Sequence, residues 1–328
     1  GSLEEREADL LLRTLREIPK SRYATQLAVT QMPAGRGKKA VFSHVEIFKM
    51  VEDIATSLRE SGVRPGTVCA MILPNCVEAI VYFFALQWIG AIAAPINPEM
   101  DLESMKNLLK DVKAFTAVSP VAEDGVSNEL NTKITTAVTE LGIIHWNIYR
   151  SMNKGVQLEQ HGRRAGEGAA WKGGSGDFKI DPSETSVHLM SDPNDVTKSA
   201  LVVPLSHENL ALSAKSCAKA YNLSPEQNVT LLTAPLYSIH SIVTTIATLY
   251  SGGHIVIPAP NKLLSAGDFL VLGKESKVSW LSCSAEFLLD IVQEVSKAPK
   301  DNVPLKFVRC HEGHLENVSI VKKTLNTE

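Results

Sequence analysis

The sequence contains no run of basic residues, no uninterrupted apolar stretch long enough to cross a bilayer, no cysteine spacing suited to a metal and, between Leu189 and Leu210, no glycine. Each absence excludes something. Nucleic-acid phosphates are gripped by clustered Lys and Arg, so a chain of 328 residues with a net charge of −3 and no such cluster is not expected to work on DNA or RNA. The longest apolar run, Ala79 to Ile96, has Glu78 at its edge and Gln87, Trp88 and Gly90 inside it, too interrupted for a membrane span. Cys69, Cys76, Cys217, Cys283 and Cys310 are odd in number, widely spaced and mostly set in apolar segments. That pattern suits reduced, buried thiols, and with no secretory leader read ahead of the first element it leads to the expectation of a cytoplasmic protein, or one of an organelle reached without secretion. No G-x-G-x-x-G stands in a strand-turn-helix setting, which argues against a dehydrogenase, and Ser282-Cys283-Ser284 lacks the glycines of a nucleophile elbow.

What is present is ordinary globular material, 44% hydrophobic and 21% charged, enough for one large domain or two medium ones. Leu3 to Ile18 reads as an amphipathic helix stopped by Pro19, and Gln26–Thr30 with Ala40–Phe42 as a hairpin. Ser43 and Glu46 have capping-box spacing ahead of a helix running to about Glu60. Beyond it, apolar strands at Thr67–Leu73, Ala91–Pro95 and Ala114–Val118 alternate with helices from Asn75 and Leu102. Continuous rather than alternating apolar strands between helices predict an α/β fold, with helices layered around mostly parallel sheets. The same alternation resumes at Val187–Met190 and continues through helices at His207–Tyr221, His240–Tyr250 and Ala285–Ser296, with strands at Val229–Leu232, Ile255–Ile257, Val278–Ser282 and Lys306–Val308. Between the halves lies a polar, glycine-rich stretch. The expected organisation is a first α/β subdomain over 1–154, a linker over 155–180 and a second α/β subdomain over 181–328.

Several segments then fall into a familiar order. Gly62-Val-Arg-Pro-Gly-Thr-Val-Cys-Ala-Met-Ile-Leu-Pro-Asn-Cys-Val-Glu78 is followed by Gly90-Ala-Ile-Ala-Ala-Pro-Ile-Asn-Pro98, then Val203-Pro-Leu-Ser-His-Glu-Asn-Leu210 and Pro235-Leu-Tyr-Ser-Ile-His240. Taken together they resemble the adenylate-forming superfamily of acyl-CoA synthetases over almost the whole chain, nearest the oxalate-CoA and coumarate-CoA ligase branch. The resemblance implies the N-terminal part of such an enzyme, two subdomains in a truncated form.

In working members of that family a Ser/Thr/Gly-rich loop wraps the ATP phosphates, because glycine lets backbone N–H groups close on them. Here the matching residues are Ser191, Asp192, Pro193, Asn194, Asp195, Val196, Thr197 and Lys198. Pro193 removes an N–H, and the two aspartates put negative charge where polyphosphate would lie. At an effective dielectric of about 20, like charges some 4 Å apart cost roughly 4 kcal/mol. Ser191, Thr197 and Lys198 are the residues left that could touch a nucleotide; the plainer reading is a surface turn.

The family's pocket-lining histidine falls on Ser238. His240, two residues on, points elsewhere on a helix of about 3.6 residues per turn and reads as solvent-facing or helix-capping, while Ser206 beside His207 reads as a helix cap. Ser238 and His240 remain the candidates for a substrate pocket. Gly252-Gly253 fits a helix C-cap. Leu305-Lys-Phe-Val-Arg-Cys-His-Glu-Gly-His-Leu315 resembles the turn leading toward the adenine site, with His311 and Glu312 in place of paired glycines. His311, Glu312 and His314 lack the spacing of a zinc motif, so no metal is expected. The Tyr-Gly-x-Thr-Glu element and the catalytic Lys that the resemblance calls for are not found.

Two functions follow. One is a catalytically inactive ligase-like domain that works as a protein-interaction or regulatory module, with no catalytic residues and no cofactor. Truncation would leave apolar surface on the second subdomain, to be covered by a protein partner or by self-association. The other is the front portion of an ATP-dependent acyl-CoA ligase that adenylates a small carboxylic acid with ATP and Mg²⁺.

Overall fold

In the computed structural model the described residues are 20–35, 37–121, 127–151, 155–161, 180–191, 201–225, 228–260, 264–297, 303–311, 313 and 318–325. The helix expected over Leu3–Ile18 lies outside them. In chain order the elements are β1 (Leu27–Gln31), β2 (Ala40–Ser43), α1 (His44–Glu60), β3 (Val68–Met71), α2 (Val77–Ile89), β4 (Ile92–Pro95), α3 (Leu102–Asp111), β5 (Thr116–Pro120), α4 (Asn128–Glu140), β6 (Ile144–Ser151), β7 (Gly155–Gln160), β8 (Thr185–Met190), β9 (Val202–Ser206), α5 (His207–Ala220), β10 (Val229–Leu231), α6 (Ile239–Tyr250), β11 (His254–Ile257), α7 (Ala266–Glu275), β12 (Trp280–Cys283), α8 (Ala285–Lys297), β13 (Phe307–Cys310) and α9 (Val318–Leu325). The expected α/β fold with mostly parallel sheets is present.

The elements form two compact units, one built on Val45–Ser213 and the other on Thr25–His44 with Ala214–Glu328. This division is not the one drawn from composition. β1 pairs in parallel with β11, so the N-terminal hairpin belongs with the C-terminal half, a long-range pairing that local patterning does not reveal.

The first unit holds a seven-stranded sheet in the order β7-β6-β5-β3-β4-β8-β9. Its interior pairings are parallel and its two edge strands are antiparallel. α2 is apolar all round and buried along almost its whole length, as a helix enclosed on every side must be. Among the described residues no helix is long and apolar enough to cross a membrane. Gly155–Gln160, read from composition as the start of a linker, is strand β7, registered on β6 from Trp146↔Gln160 to Ser151↔Gly155. Cross-strand pairing and the burial of Val156 override weak local propensity here. The rest of the glycine-rich stretch, 162–179, lies outside the described residues.

The second unit holds a six-stranded sheet, β13-β12-β10-β11-β1-β2, parallel except for β2. Leu231, Val256, Phe269, Leu281, Leu288 and Ile291 form one buried cluster between this sheet and α7 and α8, each side chain contributing about 1.5–3 kcal/mol. α6 ends as expected at Gly252-Gly253: the Gly252 N–H donates to Leu249 O and the Gly253 N–H to Thr248 O, with Gly252 at φ 73°. That double bond pattern closes the helix and needs glycine in the left-handed position. In each strand-helix unit the helix starts beyond the strand's carboxyl end, so α6 and α8 begin on the side where β10, β12 and β13 finish, the side on which parallel sheets bind ligands.

Candidate functional site

In the second unit four side chains converge at these carboxyl ends. Ser238 is the N-cap of α6: in extended conformation, φ −95° and ψ 138°, its hydroxyl accepts the His240 N–H at 3.3 Å. Ser238 therefore serves the helix, and the capping role considered for His240 belongs to it instead. His240 is neither capping nor solvent-facing. Its ring stacks on His311 with centroids 4.3 Å apart and planes 13° apart, and its Nδ1 accepts from Arg309 Nη2 at 3.3 Å, which places the ring's own proton on Nε2.

Arg309 also reaches Ser282, Nη1 donating to the hydroxyl at 3.4 Å, and so ties β13 to β12 while holding His240. Burial, with His240 and Arg309 nearby, lowers the His311 pKa to about 4. Both of its ring nitrogens are buried without a hydrogen-bond partner. One guanidinium beside a helix N-terminus, with the His311 pKa lowered, makes a site whose fixed charge is positive, chemistry that suits a carboxylate or phosphate. Gly313, the glycine kept in this turn, is held by conformation: its φ is 81° and a Cβ there would lie 2.9 Å from the Ala285 Cβ.

In the first unit Ser191 closes the β8–β9 ladder. Its N–H donates to Leu201 O at 2.9 Å and its hydroxyl accepts the Leu201 N–H at 3.2 Å, so this candidate phosphate ligand is engaged in joining two strands. Thr197 and Lys198, with Asp192, Pro193 and Asp195, lie outside the described residues, as do Glu312 and His314. β9 leads into α5 through Ser206, whose hydroxyl accepts the Asn209 N–H at 3.1 Å while Asn209 Oδ1 accepts the Ser206 N–H at 3.0 Å. The cap read at Ser206 is present and is reciprocal with Asn209, and His207 beside it is buried.

The structure thus brings together Ser238, His240 and His311. Sequence reading missed Arg309, whose one signal was a charged residue inside an otherwise apolar strand.

The sequence profile of the AMP-binding enzyme family matches residues 21–177 and 202–320; the interval between them contains the glycine-free loop. The Humulus lupulus protein named Probable CoA ligase CCL9 is 26% identical over 279 residues, 83% of this chain and 50% of its own length. Oxalate–CoA ligase of Arabidopsis thaliana is 25% identical over 288 residues, 84% of this chain and 51% of its own. The chain spans about half the length of these curated relatives. Among solved structures, a long-chain fatty-acid CoA ligase from Archaeoglobus fulgidus superposes with a TM-score of 0.76 at 16% identity, over 96% of this chain and 60% of that one. At that identity the likeness is one of fold.

Proposed function

Because the chain belongs to the AMP-binding enzyme family, we propose that it is an acyl-CoA-ligase-like domain that no longer forms an acyl-adenylate and acts as a protein-interaction or regulatory module. The observation that carries this reading is the His240–His311 stack. Where the family resemblance places paired glycines on the way to the adenine site, this chain puts an imidazole, packed against a second one. A glycine turn admits a flat base because it has no side chain; here the space is taken. Asp192 and Asp195 in the loop that should meet phosphates point the same way. The residues present therefore do not fit ATP, and no adenylation step is assigned to them.

The interaction role draws on the second unit's helices. α8 packs against both α7 and α9, and Val271, Leu289, Val318 and Ile320 on these three helices are exposed. A protein partner or a second copy is the occupant this reading calls for. None of the five cysteines is in a disulfide and four are buried, which fits a cytoplasmic setting.

Calorimetry with ATP-Mg²⁺ and an acyl-adenylate analogue, together with pyrophosphate exchange on the whole natural polypeptide carrying this sequence, tests the reading. No binding and no exchange are expected; acid-dependent exchange would overturn it.

Arg309 favours a second reading, in which the chain is the front portion of an acid–thiol ligase for a small carboxylic acid, using ATP and Mg²⁺. A guanidinium held beside His240 can pair with a carboxylate through two hydrogen bonds. Thermal-shift titration with short mono- and dicarboxylates separates the two readings, since this one requires stabilisation by the acid and the first does not.

A further inference from the structure

Cys283 and Cys310 are register partners on the neighbouring parallel strands β12 and β13. Register partners present their side chains on the same face, and a strand spacing of about 4.8 Å falls within the roughly 4.4–6.8 Å Cα separation that a disulfide spans. Cys283 is buried against the α8 side of the sheet, whereas Cys310, on the edge strand β13, is exposed. An accessible thiol beside a sheltered one is the arrangement of an attacked and a resolving cysteine. Their position gives the pair a consequence: the residue after Cys310 is His311, whose N–H donates to the Cys283 carbonyl at 3.2 Å.

We propose that Cys283 and Cys310 form a redox pair that an oxidised low-molecular-weight thiol, glutathione disulfide, closes into a disulfide fastening β12 to β13 at the root of the His311 turn. The Cys310 thiolate attacks one glutathione sulfur, forming a mixed disulfide and releasing one glutathione. The Cys283 thiolate then attacks the Cys310 sulfur and expels the second. Two protein thiols are oxidised, one glutathione disulfide is reduced to two glutathiones, and the two thiol protons leave on them. Burial pushes the Cys283 thiol up to about 12, so the second step is the slow one and the mixed disulfide accumulates first. The proposal is independent of the functional readings above.

The test equilibrates the folded, full chain with buffers of rising oxidised-to-reduced glutathione ratio, unfolds it in denaturant containing excess alkylating agent so that buried free thiols are blocked too, and reads intact mass and a peptide map. The expected result is a glutathione adduct on Cys310 that gives way to a species carrying two fewer alkyl groups than the blocked reduced chain, with the Cys283 and Cys310 peptides cross-linked. Cys310→Ser should abolish both species. Cys283→Ser should stop at the adduct; if that buried substitution does not fold, the wild-type map and Cys310→Ser still decide. Amide exchange at His311 should slow in the cross-linked form. A Cys283 that remains alkylatable at every ratio, or a Cys310 cross-linked only to another chain, would overturn the proposal.

Discussion

The imidazoles of His240 and His311 lie face to face, 4.3 Å between centroids, although one begins α6 and the other follows β13. The contact joins His311, where the chain departs from the family pattern, to a histidine two residues past Ser238, where the family's pocket histidine is lost, and the Arg309 guanidinium hydrogen-bonds His240.

His311→Gly should reopen the turn. The substitution removes a stacking pair of roughly 0.5–1.5 kcal/mol, so a loss of stability of about 1 kcal/mol is expected in urea unfolding. Calorimetry with an acyl-adenylate analogue should meanwhile show binding where the parent shows none. Lost stability without any gain in affinity would mean that the stack is packing alone.

Charge in the glycine-free loop can be tested separately. Replacing Asp192 and Asp195 by Asn removes two negative charges and little volume. Repulsion of a polyphosphate should fall by roughly 1–2 kcal/mol, about a tenfold gain in ATP affinity. This gain should shrink at high salt, because mobile ions screen charge–charge repulsion.

Much of this fold was legible in its apolar runs. The strands at Ala91–Pro95 and Ile255–Ile257 and the helices at His207–Tyr221 and Ala285–Ser296 match β4, β11, α5 and α8 to within a residue or two, because buried parallel strands and long periodic helices carry their environment in their composition. β6 and β7 were not legible: His145, Asn147, Arg150, Gln157 and Glu159 make them look like loop, and only pairing with each other and with β5 makes them strands. The site divided in the same way. Altered glycines and a displaced histidine can be read from a motif, but the meeting of His240 with His311 and Arg309 depends on which strands lie side by side.

Acid should destabilise the first unit through two imidazoles. His145 is 7% exposed and His207 5% exposed, and burial lowers each pKa from 6.5 to about 4, with His161 assisting at His145. The folded protein binds fewer protons than the unfolded chain between these values, so stability rises with pH across that window. It is fully present above about 6.5 and is lost as the pH falls toward 4. Between pH 7 and pH 5 each histidine should remove about 2 kcal/mol. The urea midpoint of the first unit should drop accordingly, and His145→Gln should flatten the dependence.

Gly253→Ala should be among the most damaging single changes in the second unit, although Gly253 touches no candidate site residue. A Cβ there would lie 2.3 Å from Asn228 Nδ2 and 2.6 Å from the Asn228 carbonyl oxygen. Asn228 is fully buried; its Nδ2 donates to Ser251 Oγ at 2.6 Å, and its Oδ1 accepts from Trp280 Nε1 at 2.5 Å. It cannot retreat without stranding buried polar groups, each worth about 1–3 kcal/mol, so a loss of about 3–5 kcal/mol is expected. Trp280 stacks on Phe307 with centroids 5.3 Å apart, which carries the disturbance to β13 and should appear as altered near-ultraviolet circular dichroism. Gly252→Ala next door puts a side chain on a residue at φ 73°, a left-handed conformation that costs an L-residue roughly 1–2 kcal/mol. Equal losses from the two variants would show that turn geometry, rather than the Asn228 hydrogen bonds, sets the requirement for glycine.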